Sequence, residues 1–244
     1  MELESLPAAT RELLERYRFD VETFEKLRAR LRSGAIGGDA NRIAGEVLAP
    51  PEGSWTALPA RGTSEREDLA RVGAQLLAAG KVGVVVLNGG MATRFGGVVK
   101  CGVPVLDGRT FLDLKLADIG ISGEGRAWTL LMNSFATHEA TASLLAELPA
   151  PGPLRIFTQS VMPRVDPAAE VLVDGEGVPS LAAPGHGDLS DSLRASGVLD
   201  EFRGAGGEIL MMVNVDNLAA TLDAAVIGAH AALGGEMTVE VVDK

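Results

Sequence analysis

Hydrophobic and polar positions alternate at helical spacing in the first part of the chain. Apolar residues recur at intervals of three and four between residues 8 and 32, with charged residues between them, which predicts an amphipathic helix. Residues 33–62 are rich in Gly, Pro and Ala and predict turns and loops. Ser64 and Glu67 then have the spacing of a capping box, which predicts a second helix that ends at Gly80.

From residue 82 onward, short apolar runs alternate with helical patterns. The run VGVVVL at 82–87 is rich in β-branched residues, which is typical of a strand covered on both faces. Further strands are predicted at 127–132, 154–158, 208–213 and 237–242, and helices at 110–118, 138–148, 188–203 and 217–233. This order predicts an α/β fold with an open, mixed, Rossmann-like sheet flanked by helices, whose ligands lie at the carboxyl ends of the strands.

A glycine turn follows the first of these strands, in VVVLNGGMATRFGGVVK at 84–100. Gly89 and Gly90 carry no side chains, so the backbone can turn there and bring N–H groups close to an anion. Arg94 and Lys100 add positive charge to the same segment. The spacing matches neither the dinucleotide fingerprint nor the P-loop, so both of those motifs are excluded.

Net charge limits the class of ligand. The chain has 244 residues with 33 acidic and 22 basic side chains, a formal net charge of -11. Such a field repels a long polyanion, so we do not expect nucleic-acid binding. A nucleotide is compatible with it, because a few backbone N–H groups, one lysine and a divalent cation neutralise phosphates locally.

Cysteine and histidine usage indicates the compartment. The single cysteine, Cys101, excludes an intrachain disulfide, and the three histidines show no zinc-binding spacing. The N-terminus lacks the apolar stretch of a signal peptide, and no apolar run approaches the length of a membrane span. We therefore expect a soluble protein of the reducing cytoplasm without membrane contacts.

Five stretches, in order, resemble the UTP–glucose-1-phosphate uridylyltransferase family. They are the glycine turn, GRTFLDLKL (108–116), LMNSFATHEAT (131–141), FTQSVMPRV (157–165), and PGHGDLSDSLRASGVLDEF (184–202) leading to VNVDNLAATLD (213–223). The resemblance covers residues 82–244. Related enzymes that use N-acetylglucosamine-1-phosphate share this layout, whereas NSF, PGHGD and NVDNL are closer to the glucose enzymes.

The resemblance implies a nucleotidyltransferase-like fold. Residues 81–244 would form the nucleotide-binding catalytic domain, and residues 1–80 an N-terminal helical segment with a linker. The chain departs from the family at Ala92, Arg94 and Val99, where a third glycine, a small residue and a proline are usual. The family pattern also continues past MTVEVVDK, so we expect this chain to lack the family's C-terminal part.

The resemblance also implies roles at the nucleotide. Lys100 would hold the triphosphate and stabilise charge as it moves onto pyrophosphate, beside the backbone at Asn88, Gly89 and Gly90. Arg94 would either assist Lys100 or only cap the loop. The uracil pocket would comprise Met132, Gln159 and Gly185. Gln159 has both a donor and an acceptor for the edge of uracil, and Gly185 leaves room for the base to lie flat.

Further roles concern the sugar phosphate and the metal. His186 and Asn214 would contact the sugar phosphate, and Asp216 would be a ligand of Mg²⁺, which prefers hard oxygen atoms. Two carboxylates have a second interpretation as helix N-caps, namely Asp216, with its neighbour Asn217, and Asp188; for Asp188 the cap is the favoured one. Cys101 has no base in evidence and is interpreted as incidental.

The implied reaction is the in-line attack of a glucose-1-phosphate oxygen on the α-phosphorus of UTP, which releases pyrophosphate and gives UDP-glucose. Two alternatives remain open. One keeps the reaction and uses N-acetylglucosamine-1-phosphate, and the other is a UTP-binding module without catalysis. The sequence does not predict an oligomeric state.

Overall fold

The computed structural model of the protein describes residue 4, residues 6–92 and residues 98–241. The strands are β1 (Val82–Leu87), β2 (Met91–Ala92), β3 (Val98–Val99), β4 (Pro104–Leu106), β5 (Arg109–Thr110), β6 (Trp128–Asn133), β7 (Leu154–Thr158), β8 (Met162–Pro163), β9 (Leu181–Ala182) and β10 (Ile209–Asn214). The helices are α1 (Ala8–Arg16), α2 (Val21–Arg32), α3 (Ser64–Ala78), α4 (Phe111–Ser122), α5 (His138–Leu145), α6 (Leu189–Ala195), α7 (Val198–Gly204) and α8 (Ala224–Leu233).

The main sheet of the described residues has four parallel strands in the order β10-β1-β6-β7. The predicted open α/β sheet flanked by helices is confirmed, but the prediction of a mixed sheet needs correction, since every strand pair of the main sheet within the described residues is parallel. The predicted strands at 82–87, 127–132, 154–158 and 208–213 agree with the observed ones to within one residue. Antiparallel pairing lies outside this sheet, in short ribbons that join β2 to β3, β4 to β5 and β8 to β9.

Side chains of β1 alternate between two cores. Val82, Val84 and Val86 pack in a cluster with residues of α3, α4 and α8, such as Leu77 and Leu112. The intervening positions, Val85 and Leu87, pack on the other face with residues of β6, α6 and α7. All six residues of β1 are buried, as is typical of a central parallel strand covered by helices on both faces.

Two predicted helices are each interrupted. The helix predicted over 8–32 breaks between α1 and α2, where Arg18 has a φ of 52° and Asp20 caps α2 by accepting the N–H of Thr23 at 3.0 Å. The helix predicted over 188–203 breaks at Gly197, which has a φ of 77°. Left-handed residues end a helix without changing the spacing of apolar positions, so the pattern alone missed both breaks.

Several predicted helix ends were also wrong. The N-cap of α3 is Thr63, whose hydroxyl accepts the N–H of Arg66 at 3.3 Å, and not Ser64. The helix predicted over 217–233 begins only at Ala224, because Asp223 caps it by accepting the N–H of Ala225 at 2.7 Å. Leu218 and Ala219 form a turn instead, and the rest of residues 217–223 has no regular structure.

The strand predicted at 237–242 is wrong over residues 237–241, which have no regular structure; residue 242 lies outside the described part. The apolar side chains of this segment, Met237, Val239 and Val241, are exposed. Alternating apolar residues form a strand only where another strand satisfies their backbone N–H and C=O groups, and no strand in the described part of the chain pairs with residues 237–241.

The N-terminal helices contact the segment that follows β7. Leu14 and Tyr17 pack against Val161, and the carbonyl of Tyr17 accepts the N–H of Val161 at 3.1 Å. The guanidinium of Arg18 donates to the carbonyl of Thr158, the last residue of β7. The N-terminal segment therefore supports one part of the strand edge at which ligands are expected. No helix within the described ranges is both long enough and apolar enough to cross a bilayer.

Helices α3 and α8 cross at very short range through Gly73 and Gly228. A Cβ at Gly73 would lie 1.8 Å from the carbonyl oxygen of Ala224, and a Cβ at Gly228 would lie 1.9 Å from that of Leu69. Since no real Cβ tolerates such a contact, a side chain at either position would force the two helices apart.

We expect Gly228→Ala to destabilise the fold by about 1–3 kcal/mol, because the added methyl group overpacks this crossing. The matched control is Gly204→Ala at the end of α7, where a Cβ would meet nothing within 4 Å. The control should be neutral or stabilising by up to about 1 kcal/mol. Urea unfolding of both variants gives the comparison, and equal midpoints for the two would contradict the close crossing.

Candidate functional site

The parallel strands of the main sheet all end at one edge, and chemically active residues follow them. Gly89 comes just after β1, Ser134 after β6, Gln159 after β7 and Asp216 after β10. The pairing register keeps these ends level, because Leu87 pairs with both Met132 and Asn214. This is the edge at which open α/β sheets bind their ligands.

Gln159, Gly185 and Gly89 meet at this edge. The Oε1 atom of Gln159 accepts the N–H of Gly185 at 3.0 Å, and the side chain is buried. A Cβ at Gly89 would lie 2.1 Å from Nε2 of Gln159, so only glycine fits beside this amide. Segments 26 and 70 residues from Gln159 along the chain therefore converge on one amide group.

Gly185 has a backbone conformation that favours glycine, with φ 93° and ψ -162°. A Cβ there would meet nothing within 4 Å, so the backbone of Gly185 faces open space. The side of Gly185 on which a Cβ would lie is therefore free of other protein atoms.

Lys100 and Asp216 form an ion pair between the glycine-turn segment and the segment after β10. Nζ of Lys100 lies 3.0 Å from Oδ2 of Asp216, and the side chains are 33% and 37% exposed. The same ammonium lies 3.8 Å from the position that a Cβ on Gly90 would take. A partly exposed cation and carboxylate thus lie beside a turn without side-chain bulk, an arrangement that suits the phosphates and counter-cation of a nucleotide.

Asp216 does not cap a helix. The next helix, α8, is capped by Asp223, and the carboxylate of Asp216 accepts a hydrogen bond from Lys100. The capping interpretation of Asp216 was therefore wrong.

Asp188 occupies the N-cap position of α6, but its side chain accepts no N–H of that helix. Its Oδ2 atom accepts the N–H of Ser160 at 2.7 Å, the hydroxyl of Ser160 at 3.0 Å and the hydroxyl of Ser192 at 2.6 Å. The interpretation of Asp188 as a cap needs this correction: the carboxylate ties α6 to the residue that follows Gln159.

Asn88, Met132 and Gln159 are the buried members of the predicted nucleotide contacts. The amide of Asn88 is 1% exposed and donates to Oδ1 of Asn133 at 2.7 Å and to Oγ1 of Thr141 at 2.9 Å. The side chain of Met132 has no exposed surface and belongs to the core cluster that contains Leu87. Met132 therefore packs in the core, although the prediction placed it in the uracil pocket, and the side chain of Asn88 points inward beneath the glycine turn.

His186 and Asn214 lie at the same strand edge and are exposed. His186 follows Gly185 directly, and Asn214 is the last residue of β10. Arg94 lies outside the described residues. Within residue 4 and the ranges 6–92 and 98–241, no group of three or more His, Cys, Asp or Glu side chains could hold a metal ion.

Two hydroxyl groups after β6 hold the glycine turn and were not predicted. The hydroxyl of Ser134 donates to the carbonyl of Gly89 at 2.9 Å, and that of Thr137 donates to the carbonyl of Asn88 at 3.0 Å. Thr137 also accepts the N–H of Ser134 at 3.0 Å. The pattern of Ser and Thr three residues apart just after a strand is the signal that could have identified them.

Comparison with known proteins gives a family match over most of the chain. A family profile described as UTP–glucose-1-phosphate uridylyltransferase matches residues 51–244. The UTP–glucose-1-phosphate uridylyltransferase of Saccharomyces cerevisiae is 39% identical over 172 residues, which cover 67% of this chain and 34% of that protein. The chain spans about a third of the length of the curated relatives it matches.

Solved structures show the same fold at lower identity. The uridine diphosphate N-acetylglucosamine pyrophosphorylase of Trypanosoma brucei is 21% identical, with a TM-score of 0.74 over 94% of this chain and 51% of that one. A mutant UDP-glucose pyrophosphorylase of Leishmania major is 24% identical, with a TM-score of 0.63 over 96% of this chain and 49% of that one. At these identities the similarity concerns the fold alone.

Cys101 lies beneath the site, next to Lys100 in sequence, and is completely buried. Its Sγ atom is 3.6 Å from Oγ1 of Thr141. Burial raises the pKa of the Cys101 thiol above its ordinary value, so the reactive thiolate is suppressed at neutral pH.

We therefore expect a disulfide reagent such as DTNB to modify Cys101 in the native protein at least about a hundredfold more slowly than an exposed thiol. The control is Ser143→Cys, which adds a thiol at an exposed position of α5. In the native state, one thiol of the variant should react rapidly with DTNB and none of the wild type should. In denaturant, Cys101 should react rapidly in both proteins. Rapid native modification of the wild type would contradict the burial of Cys101.

Proposed function

The chain belongs to the UTP–glucose-1-phosphate uridylyltransferase family, and we propose that its strand edge binds UTP and transfers uridylate to a sugar 1-phosphate. The observation that carries this proposal is the convergence of Gly89, Gly185 and Gln159 beside the Lys100–Asp216 pair. The chain spans about a third of its relatives' length, so its activity and substrates are proposals of their own and are not taken over from those proteins.

The triphosphate is proposed to lie along the glycine turn. Backbone N–H groups at Gly89 and Gly90 can approach phosphate oxygens closely, since neither residue has a side chain. The ammonium of Lys100 lies beside Gly90 and supplies a compact positive charge. In a chain with a net charge of -11, such a local cation is needed to attract an anionic ligand.

The uracil base is proposed to lie over Gly185, against the amide of Gln159. Oε1 of Gln159 is fixed by the N–H of Gly185, which orients the amide with its Nε2 donors toward the glycine turn. A donor in that place suits a carbonyl oxygen of uracil, whereas cytosine presents an amino group at the corresponding position.

The chemistry is proposed to be attack of a sugar-phosphate oxygen on the α-phosphorus of UTP, with pyrophosphate as the leaving group. Lys100 would stabilise the charge that develops on the leaving pyrophosphate. His186 and Asn214 lie at the same edge and are proposed to orient the sugar phosphate. The glucose sugar is favoured by the curated relatives, and N-acetylglucosamine is the alternative to be tested.

Asp216 is proposed as a ligand of Mg²⁺. Its carboxylate supplies hard oxygen atoms and is 37% exposed at the edge where the phosphates are proposed to lie. Magnesium commonly takes one or two protein carboxylates and completes its shell with phosphate and water, so a single carboxylate here fits. Bound Mg²⁺ would neutralise charge on the phosphate oxygens.

The proposed compartment is the cytoplasm. The chain's single cysteine is buried and forms no disulfide, a thiol state that a reducing environment maintains. The acidic net charge repels nucleic acid, so the proposed ligands are small anions held by local cations.

We expect Lys100→Ala and Asp216→Ala each to lower the rate of pyrophosphate release by about a hundredfold or more, because each removes a charge that acts on the reacting phosphates. Lys81→Ala is the matched control, since Lys81 pairs with Glu208 at the opposite edge of the sheet. A coupled pyrophosphate assay with UTP and each of the two sugar phosphates measures these rates.

Wild-type rates with both sugars also decide between the alternatives. Full activity in either site variant would remove that residue from the proposed mechanism. If calorimetry detects UTP binding while no sugar phosphate gives turnover at high enzyme concentration, the chain is a UTP-binding module without catalysis.

A second prediction concerns the base. Gln159→Leu should weaken UTP binding about tenfold and reduce the preference for UTP over CTP, because the amide that faces the base is lost. Titration calorimetry with both nucleotides measures the preference, with Gln75→Leu on α3 as a control distant from the strand edge. An unchanged ratio of UTP to CTP affinity would exclude Gln159 from base recognition.

A further inference from the structure

Lys115 is a buried cation that the proposed reaction does not use directly. It lies on α4 and is 1% exposed. Its Nζ atom donates to the carbonyl of Asn217 and to the carbonyl of Ala220, both at 2.8 Å. Burial lowers the pKa of Lys115, and the charge of Asp118 partly opposes that shift. Since burying an ammonium is costly, its two carbonyl partners indicate a specific structural purpose.

Those two carbonyls belong to the turn that follows Asp216. One helical turn after Lys115, Asp118 holds the same segment a second time, because its Oδ2 atom accepts the N–H of Leu222 at 3.2 Å. Helix α4 thus holds the segment 217–222 through two side chains, the ammonium of Lys115 and the carboxylate of Asp118. The segment cannot shift along α4 without breaking the hydrogen bonds to both.

The other end of α4 is joined to the turn that carries Lys100. The N–H of Phe111, the first residue of α4, donates to the carbonyl of Val103 at 3.2 Å, and Val103 donates to the carbonyl of Lys100 at 3.1 Å. Cys101 and Leu112 belong to the same buried cluster. The segments that carry Lys100 and Asp216 are therefore both attached to the same helix, α4.

We propose that Lys115 is a positioning residue, whose ammonium holds the 217–220 turn so that Asp216 faces Lys100 and receives the divalent cation of a nucleoside triphosphate complex. This inference rests on the proposed function of the same site. Lys115, in the middle of α4, would thereby align two loops that follow different strands of the main sheet, β1 and β10. The ammonium is required because a methyl group of similar size leaves both carbonyls without a donor.

The test compares UTP binding with Mg²⁺ and with EDTA, by titration calorimetry on the full chain. We expect Lys115→Met to reduce the Mg²⁺-dependent gain in UTP affinity about tenfold, as loss of a group that orients a metal ligand does. UTP binding in EDTA should stay within about twofold of wild type, because Gln159 and the glycine turn are untouched. Lys81→Met is the control and should leave both affinities unchanged.

A double-mutant cycle separates positioning from general loss of stability. Asp216→Asn should remove the same Mg²⁺-dependent gain, and adding Lys115→Met to it should cause no further loss, since both act through one carboxylate. Additive losses in the double variant, or a full Mg²⁺-dependent gain in Lys115→Met alone, would overturn the inference.

If Lys115→Met does not fold, Asp118→Ala decides, because it releases the second attachment of the same segment. A reduced Mg²⁺-dependent gain in that variant supports the inference, and an unchanged gain overturns it. Failure of the proposed function is distinguishable, since wild-type protein would then bind no UTP or bind it without help from Mg²⁺. The inference would fall with it.

Discussion

The parallel register between β10 and β1 is the constraint on which the candidate site depends. Leu87 pairs with Asn214, so the glycine turn after β1 and the segment after β10 emerge side by side. The Lys100–Asp216 pair closes the gap between them. A slip of one residue would move Asp216 along the edge and turn every side chain of β10 to the opposite face, which the buried cores do not permit.

The glycines and the charged residues at this edge contribute to the proposed site in different ways. Glycines at 89 and 185 admit the amide of Gln159 and leave an open surface beside it, so they determine where a base could lie. Lys100 and Asp216 supply opposite charges a short distance away, where phosphates and a cation could lie. Hydroxyl and amide groups beneath the turn, from Asn88, Ser134 and Thr137, are turned inward and hold the backbone in place.

Much of the fold could be predicted from the sequence, because β1, β6 and β7 are short apolar runs with the composition of buried strands. The meeting of Gln159 with Gly185 followed only from the family resemblance, since nothing local in either segment indicates the other. The burial of Lys115 could not be predicted, because the sequence FLDLKL indicates an exposed lysine on a helix. Its burial depends on the 217–220 turn, which packs over α4 from a distant part of the chain.

The missed features share a physical cause. Helix breaks at Arg18 and Gly197 depend on single left-handed residues, and the absence of a strand over 237–241 depends on a missing neighbour. The inward orientation of Met132 likewise depends on what packs around it. Periodicity records which positions are apolar, but tertiary partners decide how each one is used.

A crystal structure of the chain with UTP and Mg²⁺ would show where the nucleotide binds. We expect the base against Gln159 and Gly185, the triphosphate along Gly89 and Gly90, and the cation on Asp216. Nucleotide bound elsewhere, for example in the cavity of about 320 Å³ lined by Arg61 and Arg66, with the strand edge empty, would contradict this expectation.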